Sequence, residues 1–134
     1  MERYELLMTT SVDVGHGRQS LLFELIDGWA GHVARLWDEA HQADSLDAWG
    51  VHDYVAALYL RSKVERGLLQ ADIAPPAVLS VADQLFREFT VVDESGALAR
   101  IEPSPNTDGW WWSRIPKLGP VAGALTSETA EPDP

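Results

Sequence analysis

Apolar residues recur every three or four positions over most of 18–43, which is the spacing of an amphipathic helix. This pattern predicts one long helix over 18–43, even though Gly28 and Gly31 each cost about 1 kcal/mol relative to alanine in a helix interior. The side chains expected on its buried face are Leu22, Leu25, Ile26, Trp29, Val33, Leu36, Trp37 and Ala40.

Two more helices are predicted further along the chain. The second covers 49–66, where apolar residues form a wide arc, and Gly67 suits the left-handed position that follows a helix. The third opens at Pro75-Pro76, because proline at the first helical position forfeits no needed hydrogen bond, and it should end near Thr90. We expect Asp83, Gln84, Arg87 and Glu88 on its exposed side, and Val78, Val81, Ala82, Leu85, Phe86 and Phe89 on its buried side.

Two shorter segments are ambiguous in their secondary structure. Residues 1–15 favour either a short strand or a loosely packed arm, because β-branched residues precede a Gly15-His16-Gly17 breaker. Residues 91–101 suit a small hairpin, with a short helix as the alternative.

The segment Gly109-Trp110-Trp111-Trp112-Ser113-Arg114-Ile115-Pro116 contains three of the six tryptophans side by side. Adjacent side chains on a helix point about 100° apart, and on a strand they alternate between faces, so the three indoles cannot all face one way. We therefore expect at least one indole in the core and another that covers the surface or contacts a partner.

These patterns together predict a mainly α fold. It is a small bundle of about three helices with the Trp-rich C-terminal segment packed across it, and a short β element is left open at the N-terminus or near 90–101. Residues 1–125 are predicted to form a single globular helical domain, and 126–134 a disordered acidic tail.

The charge of the chain changes the functional picture more than its size does. Among 134 residues, 21 are acidic and 10 basic, for a formal net charge of −11. Such a chain should repel nucleic acid and anionic membranes and attract basic proteins, so we predict neither a nucleic-acid nor a membrane partner. The alternative is that the acidity serves solubility alone. The N-terminus lacks the pattern of a signal peptide, which predicts a cytoplasmic protein.

Candidates for catalysis and metal binding are weak in this sequence. There is no cysteine, which excludes disulfides and thiolate metal sites, and neither a Gly-x-Ser-x-Gly elbow nor a glycine-rich phosphate loop is present. No histidine pair has the i, i+4 spacing of a helical zinc site. We predict no enzyme activity, metal or cofactor. The alternative is a small helical enzyme or metal-binding protein that uses His52 and Asp53.

In size, acidity and lack of a catalytic motif the chain resembles the immunity proteins of bacterial toxin systems. That resemblance implies a protein that neutralises a basic partner, such as a nuclease toxin, by masking its active surface. The alternative is a structural or regulatory subunit that self-associates through the tryptophan segment. The candidate partner-binding residues are the acidic Asp38, Glu39, Asp44 and Asp47 around the first helix–helix connection, with Trp111, Trp112 and Arg114 as aromatic and cationic contacts.

Overall fold

The fold is mainly helical, as the sequence predicts, and the Trp-rich segment packs on the helices. The computed structural model describes residues 3–40, 51–94, 96–101 and 109–117. The elements in chain order are α1 (Arg3–Thr9), β1 (Ser11–Gly15), β2 (Arg18–Leu21), α2 (Leu22–Ala40), α3 (Val51–Ala71), α4 (Ala77–Phe89), β3 (Thr90–Val92), α5 (Ala97–Ile101), a 3₁₀ helix (Trp110–Ser113) and β4 (Arg114–Pro116).

The N-terminal region contains a β-hairpin between two helices. Strands β1 and β2 pair antiparallel around Gly15-His16-Gly17, where all three residues have positive φ. The predicted helix over 18–43 is therefore too long at its start, because Arg18–Leu21 form ladder hydrogen bonds with β1 and the helical period begins only at Leu22. The end predicted at residue 43 lies outside the described residues.

Helix α3 continues past Gly67 to Ala71, so the predicted end at residue 66 is wrong. Gly67 lies where α3 crosses the hairpin, and a Cβ there would meet Leu22 Cδ1 at 2.6 Å and Val12 Cγ2 at 2.8 Å. The left-handed position that ends the helix belongs to Asp72 instead, with φ of 54°. The glycine thus permits a close approach between elements rather than a helix end.

Helix α4 begins after Pro76, whose backbone is extended, and ends at Phe89 as the sequence predicts. Helix α2 packs against both α3 and α4, and the core lies between these three helices. Its fully buried large side chains include Trp29, Tyr54 and Phe86. The bundle of three principal helices is therefore confirmed.

Residues 91–101 contain a short helix rather than a local hairpin. Val91 and Val92 belong to β3, which pairs antiparallel with β4 from the C-terminal segment. Asp93 follows, and its carboxylate accepts hydrogen bonds from the backbone N–H groups of Ala97 and Leu98 at 3.0 and 2.9 Å. This cap starts α5, since an acceptor satisfies the unpaired amides of a helix start. The predicted domain boundary at 125 and the tail at 126–134 lie outside the described residues.

Candidate functional site

The tryptophan segment packs as a 3₁₀ helix on α3 and α4. Trp111 and Trp112 have exposed fractions of 4% and 6%, whereas Trp110 is half-buried. Ser62 of α3 holds both buried rings, because its Oγ accepts hydrogen bonds from Trp111 Nε1 at 3.0 Å and from Trp112 Nε1 at 2.9 Å. The expectation of at least one indole in the core is met, and Trp111 and Trp112 anchor the C-terminal segment to the bundle.

A buried ion pair lies under these rings. Arg61 of α3 donates from Nε and Nη2 to the two carboxylate oxygens of Asp83 on α4, at 3.0 and 2.9 Å. Trp29 of α2 also donates its Nε1 to Asp83, at 2.9 Å. The guanidinium carbon of Arg61 lies 4.5 Å from the ring centroid of Trp111. One carboxylate thus connects three helices, and its cation supports the tryptophan segment.

The sequence reasoning missed this pair, since Asp83 was predicted on the exposed side of its helix. Asp83 is 8% exposed and Arg61 3% exposed. The sequence position of Asp83 indicates its burial, because it falls four residues after Leu79 and three before Phe86, within the buried stripe of α4. A carboxylate in an apolar stripe indicates a buried partner, because an unpaired buried charge is too costly to retain.

Arg114 fastens strand β4 to the end of α4. Its Nε donates to Thr90 Oγ1 at 2.8 Å, and its Nη2 donates to the carbonyls of Thr90 at 2.8 Å and Arg87 at 3.3 Å. The hydroxyl of Tyr54 donates to the Arg114 carbonyl at 2.6 Å. Burial raises the pKa of Tyr54 well above its usual value, so this phenol remains a donor. The guanidinium of Arg114 therefore binds groups within the fold, at the end of α4.

The acidic half of the predicted partner-binding set is only partly described. Asp38 is exposed near the end of α2. Glu39 belongs to the same helix, but nothing about its side chain is described, and Asp44 and Asp47 lie outside the described residues. Asp38 is therefore the one carboxylate of this set whose side chain is described, and a shared role of the four with Trp111 and Trp112 in partner binding stays a prediction.

A different surface on α4 stands out by its exposed aliphatic side chains. Val78 and Val81 are 52% and 68% exposed, although both were predicted on the buried side of the helix. The buried stripe of α4 is centred instead on Leu79, Ala82 and Phe86. Val78, Val81 and the half-buried Leu85 lie along one flank of this stripe, and we call them the α4 surface.

Two shallow depressions border the α4 surface. One, of about 360 Å³, lies between α4 and the α1–α2 side of the bundle. The other, of about 420 Å³, lies along α4 itself. The first is lined by Leu7, Phe23, Ile26, Asp27, Pro76 and Val78, and the second by Ser80, Val81, Gln84, Leu85 and Glu88.

The residues of the alternative metal or catalytic reading, His52 and Asp53, are exposed in the first turn of α3. Within 3–40, 51–94, 96–101 and 109–117, no three acidic or histidine side chains are grouped closely enough to hold a metal ion. Burial lowers the pKa of His32, and the charge of Arg35 lowers it further, against an opposing effect of Asp53.

None of the helices in the described ranges is long and apolar enough to cross a bilayer.

Comparison of the chain with protein-family models, with curated proteins and with solved structures finds no significant match.

Proposed function

We propose that this chain is a small acidic binding protein that captures a basic protein partner and masks the surface through which that partner acts. The resemblance to bacterial immunity proteins in size and acidity makes a nuclease toxin one such partner. The formal net charge of −11 supports the proposal, because complementary charge steers the encounter of two proteins and raises their association rate.

The observation that carries the proposal is that exposed acidic side chains outnumber exposed basic ones among the described residues. Four arginines are held by contacts within the fold: Arg61 by Asp83, Arg66 by the Asp13 carbonyl, Arg87 over the Trp110 ring and Arg114 by the Thr90 carbonyl. Arg66 and Arg87 remain exposed while they make these contacts, and the exposed carboxylates include Glu5, Glu24, Asp27, Asp38, Asp72, Glu88 and Glu94.

This distribution suits a protein that presents negative charge to a partner. A nuclease that binds its substrate through a positive surface is a complementary partner, because phosphate contacts dominate nucleic-acid affinity. An acidic protein seated on that surface would displace the substrate without any chemical step. The predicted contact region for this encounter consists of Asp38 and Glu39 in α2 with Asp44 and Asp47, which follow it in the sequence.

The test is capture of a partner from native lysate with the tagged protein at about 0.1 M and about 1 M salt, where the Debye length falls from about 10 Å to about 3 Å. Wild type should recover a basic protein at the lower salt and lose it at the higher. Reversal of Asp38, Glu39, Asp44 and Asp47 to lysine should abolish recovery.

A matched control reverses Glu5, Glu24, Glu94 and Glu128 to lysine, which changes the net charge by the same amount at other positions. This control should retain more of the partner than the first variant does. Full recovery by the first variant, or recovery of no basic protein by wild type, would contradict the proposal.

A further inference from the structure

We propose that the α4 surface is a docking site for a basic amphipathic helix of the partner. This inference rests on the proposed function and specifies both the part of the chain that makes the contact and the chemistry of the segment that it takes. The sequence pattern places Val78 and Val81 in the core, but the fold leaves both exposed beside the half-buried Leu85.

The α4 surface has the geometry that a helix requires. Val78, Val81 and Leu85 are three and four residues apart, so their side chains form one ridge along the axis of α4. The depression beside Val78 continues the apolar surface to Phe23 of α2 and Leu7 of α1. An apolar ridge with a depression along its side accepts the ridge of another helix, which is the helix-in-groove mode of peptide recognition.

Carboxylates flank this apolar surface on both sides. Glu88 lies next to Leu85 along α4, and Asp27 lines the depression beside Val78. Helical spacing places Asp38 on the same face of α2 as Phe23 and Asp27, since the separations between these residues are close to whole numbers of helical turns. All three carboxylates are exposed.

The arginines of these two helices lie on other flanks. Arg87 of α4 stacks on Trp110, with its guanidinium carbon 3.9 Å from the ring centroid. Helical spacing places Arg35 of α2 about 120° around the helix from Phe23. The charged side chains of α2 and α4 that border the α4 surface are therefore acidic, and their complement is an apolar stripe bordered by lysine or arginine.

The same charges disfavour the two other occupants that could cover the surface. In a symmetric dimer, Asp27 and Glu88 would meet the same carboxylates of a second copy. The chain's own last residues carry Glu128, Glu131 and Asp133, which have the same sign as the border. Like charges brought together across an interface oppose binding, so a basic segment from another protein is the complementary occupant.

The probe that tests this is a fluorescently labelled peptide of leucine and lysine about 18 residues long, enough for a helix to form in contact with a surface. Its leucines recur at i, i+3, i+4 and i+7, and a scrambled peptide of the same composition is the reference. Binding is measured by fluorescence anisotropy. The full-length protein should bind the amphipathic peptide more tightly than the scrambled one.

Two sets of variants locate the binding. Val78→Gln with Val81→Gln should weaken binding about tenfold or more, the effect typical of removing central apolar contacts. Leu69→Gln is the matched control, because Leu69 is 74% exposed but lies on α3. Asp27→Asn with Glu88→Gln should also weaken binding at low salt, whereas Glu24→Gln with Glu94→Gln should weaken it less. Circular dichroism verifies that each variant is folded.

The inference is overturned if the two peptides bind equally, or if Leu69→Gln weakens binding as much as the Val78 and Val81 pair does. These outcomes leave the proposed function standing when wild type still captures a basic protein from lysate. Conversely, capture of a basic protein that is unaffected by Val78→Gln with Val81→Gln overturns the docking site alone. Capture of none by wild type overturns the proposed function.

Discussion

Asp83 binds Arg61 through both carboxylate oxygens, at 3.0 and 2.9 Å, in the middle of the helical bundle. The same carboxylate accepts the indole N–H of Trp29, and Arg61 also contacts Glu65 at 3.2 Å. Because α2, α3 and α4 each contribute a member, this network fixes how the three helices pack. It therefore sets the position of α4 and of the surface proposed for partner binding.

Removing one member of the pair should be strongly destabilising. Arg61→Met leaves the Asp83 carboxylate buried without its cation, and breaking a buried pair in this way costs about 3–5 kcal/mol. Adding Asp83→Asn should recover part of that loss, since the amide carries no charge and keeps an oxygen for Trp29. Urea denaturation measures both variants. A double variant less stable than Arg61→Met alone would contradict this account of the network.

Alanine substitution should change the stability of the fold in opposite directions at two helical glycines. At Gly67 a Cβ would lie 2.6 Å from Leu22 and 2.8 Å from Val12, so Gly67→Ala should destabilise the fold by about 1–2 kcal/mol through overpacking. At Gly31 a Cβ meets nothing within 4 Å, so Gly31→Ala should stabilise it by about 0.5–1 kcal/mol. Thermal unfolding of the two variants checks the signs, and a stable Gly67→Ala would refute the close crossing.

Replacing Ser62 should lower the stability of the fold more than replacing an exposed serine in a helix does. Ser62→Ala removes the acceptor of two buried indole N–H groups, and each unsatisfied group costs about 1–3 kcal/mol. The control is Ser80→Ala, because Ser80 is exposed and its Oγ donates to the Pro76 carbonyl, at 3.4 Å. Near-ultraviolet circular dichroism should change for Ser62→Ala and stay constant for Ser80→Ala. Equal stability of the two variants would contradict the anchoring role.

The lowered pKa of His32 predicts a loss of stability in mild acid. The folded protein binds a proton at His32 less readily than the unfolded chain does, because burial and Arg35 disfavour the charged ring. Stability contributed by neutral His32 is therefore present above the usual pKa of 6.5 and is lost as the pH falls through and below that value. His32→Gln should flatten the dependence of unfolding free energy on pH there, and an unchanged slope would contradict the assignment.

The principal helices could be predicted because apolar side chains with helical spacing must be buried on one face. The hairpin at Ser11–Leu21 was harder, since the polar Arg18, Gln19 and Ser20 reveal no alternation of burial. Gly67 was misassigned because one residue type serves both a helix end and a close crossing. Only the neighbours of a glycine, which are distant in sequence, decide between these roles.

The candidate site was less predictable than the fold. A single sequence shows that Val81 has helical spacing, but not that the packing of α4 on α2 leaves it 68% exposed. The sequence predicts at least one indole of the tryptophan segment in the core, yet which indoles enter it depends on the 3₁₀ geometry and on Ser62. Asp83 could have been recognised from its position in the buried stripe, whereas its partner Arg61 required the packing of α3 on α4.

Binding of a basic partner is tested by mass-spectrometric identification of the proteins that the tagged protein captures from native lysate, at about 0.1 M and about 1 M salt. Wild type and Val78→Gln with Val81→Gln are compared in parallel. We predict one basic protein captured by wild type at the lower salt, released at the higher, and depleted with the variant. Recovery of the bait alone at both salt concentrations would contradict the account of this chain as a binding protein for a basic partner.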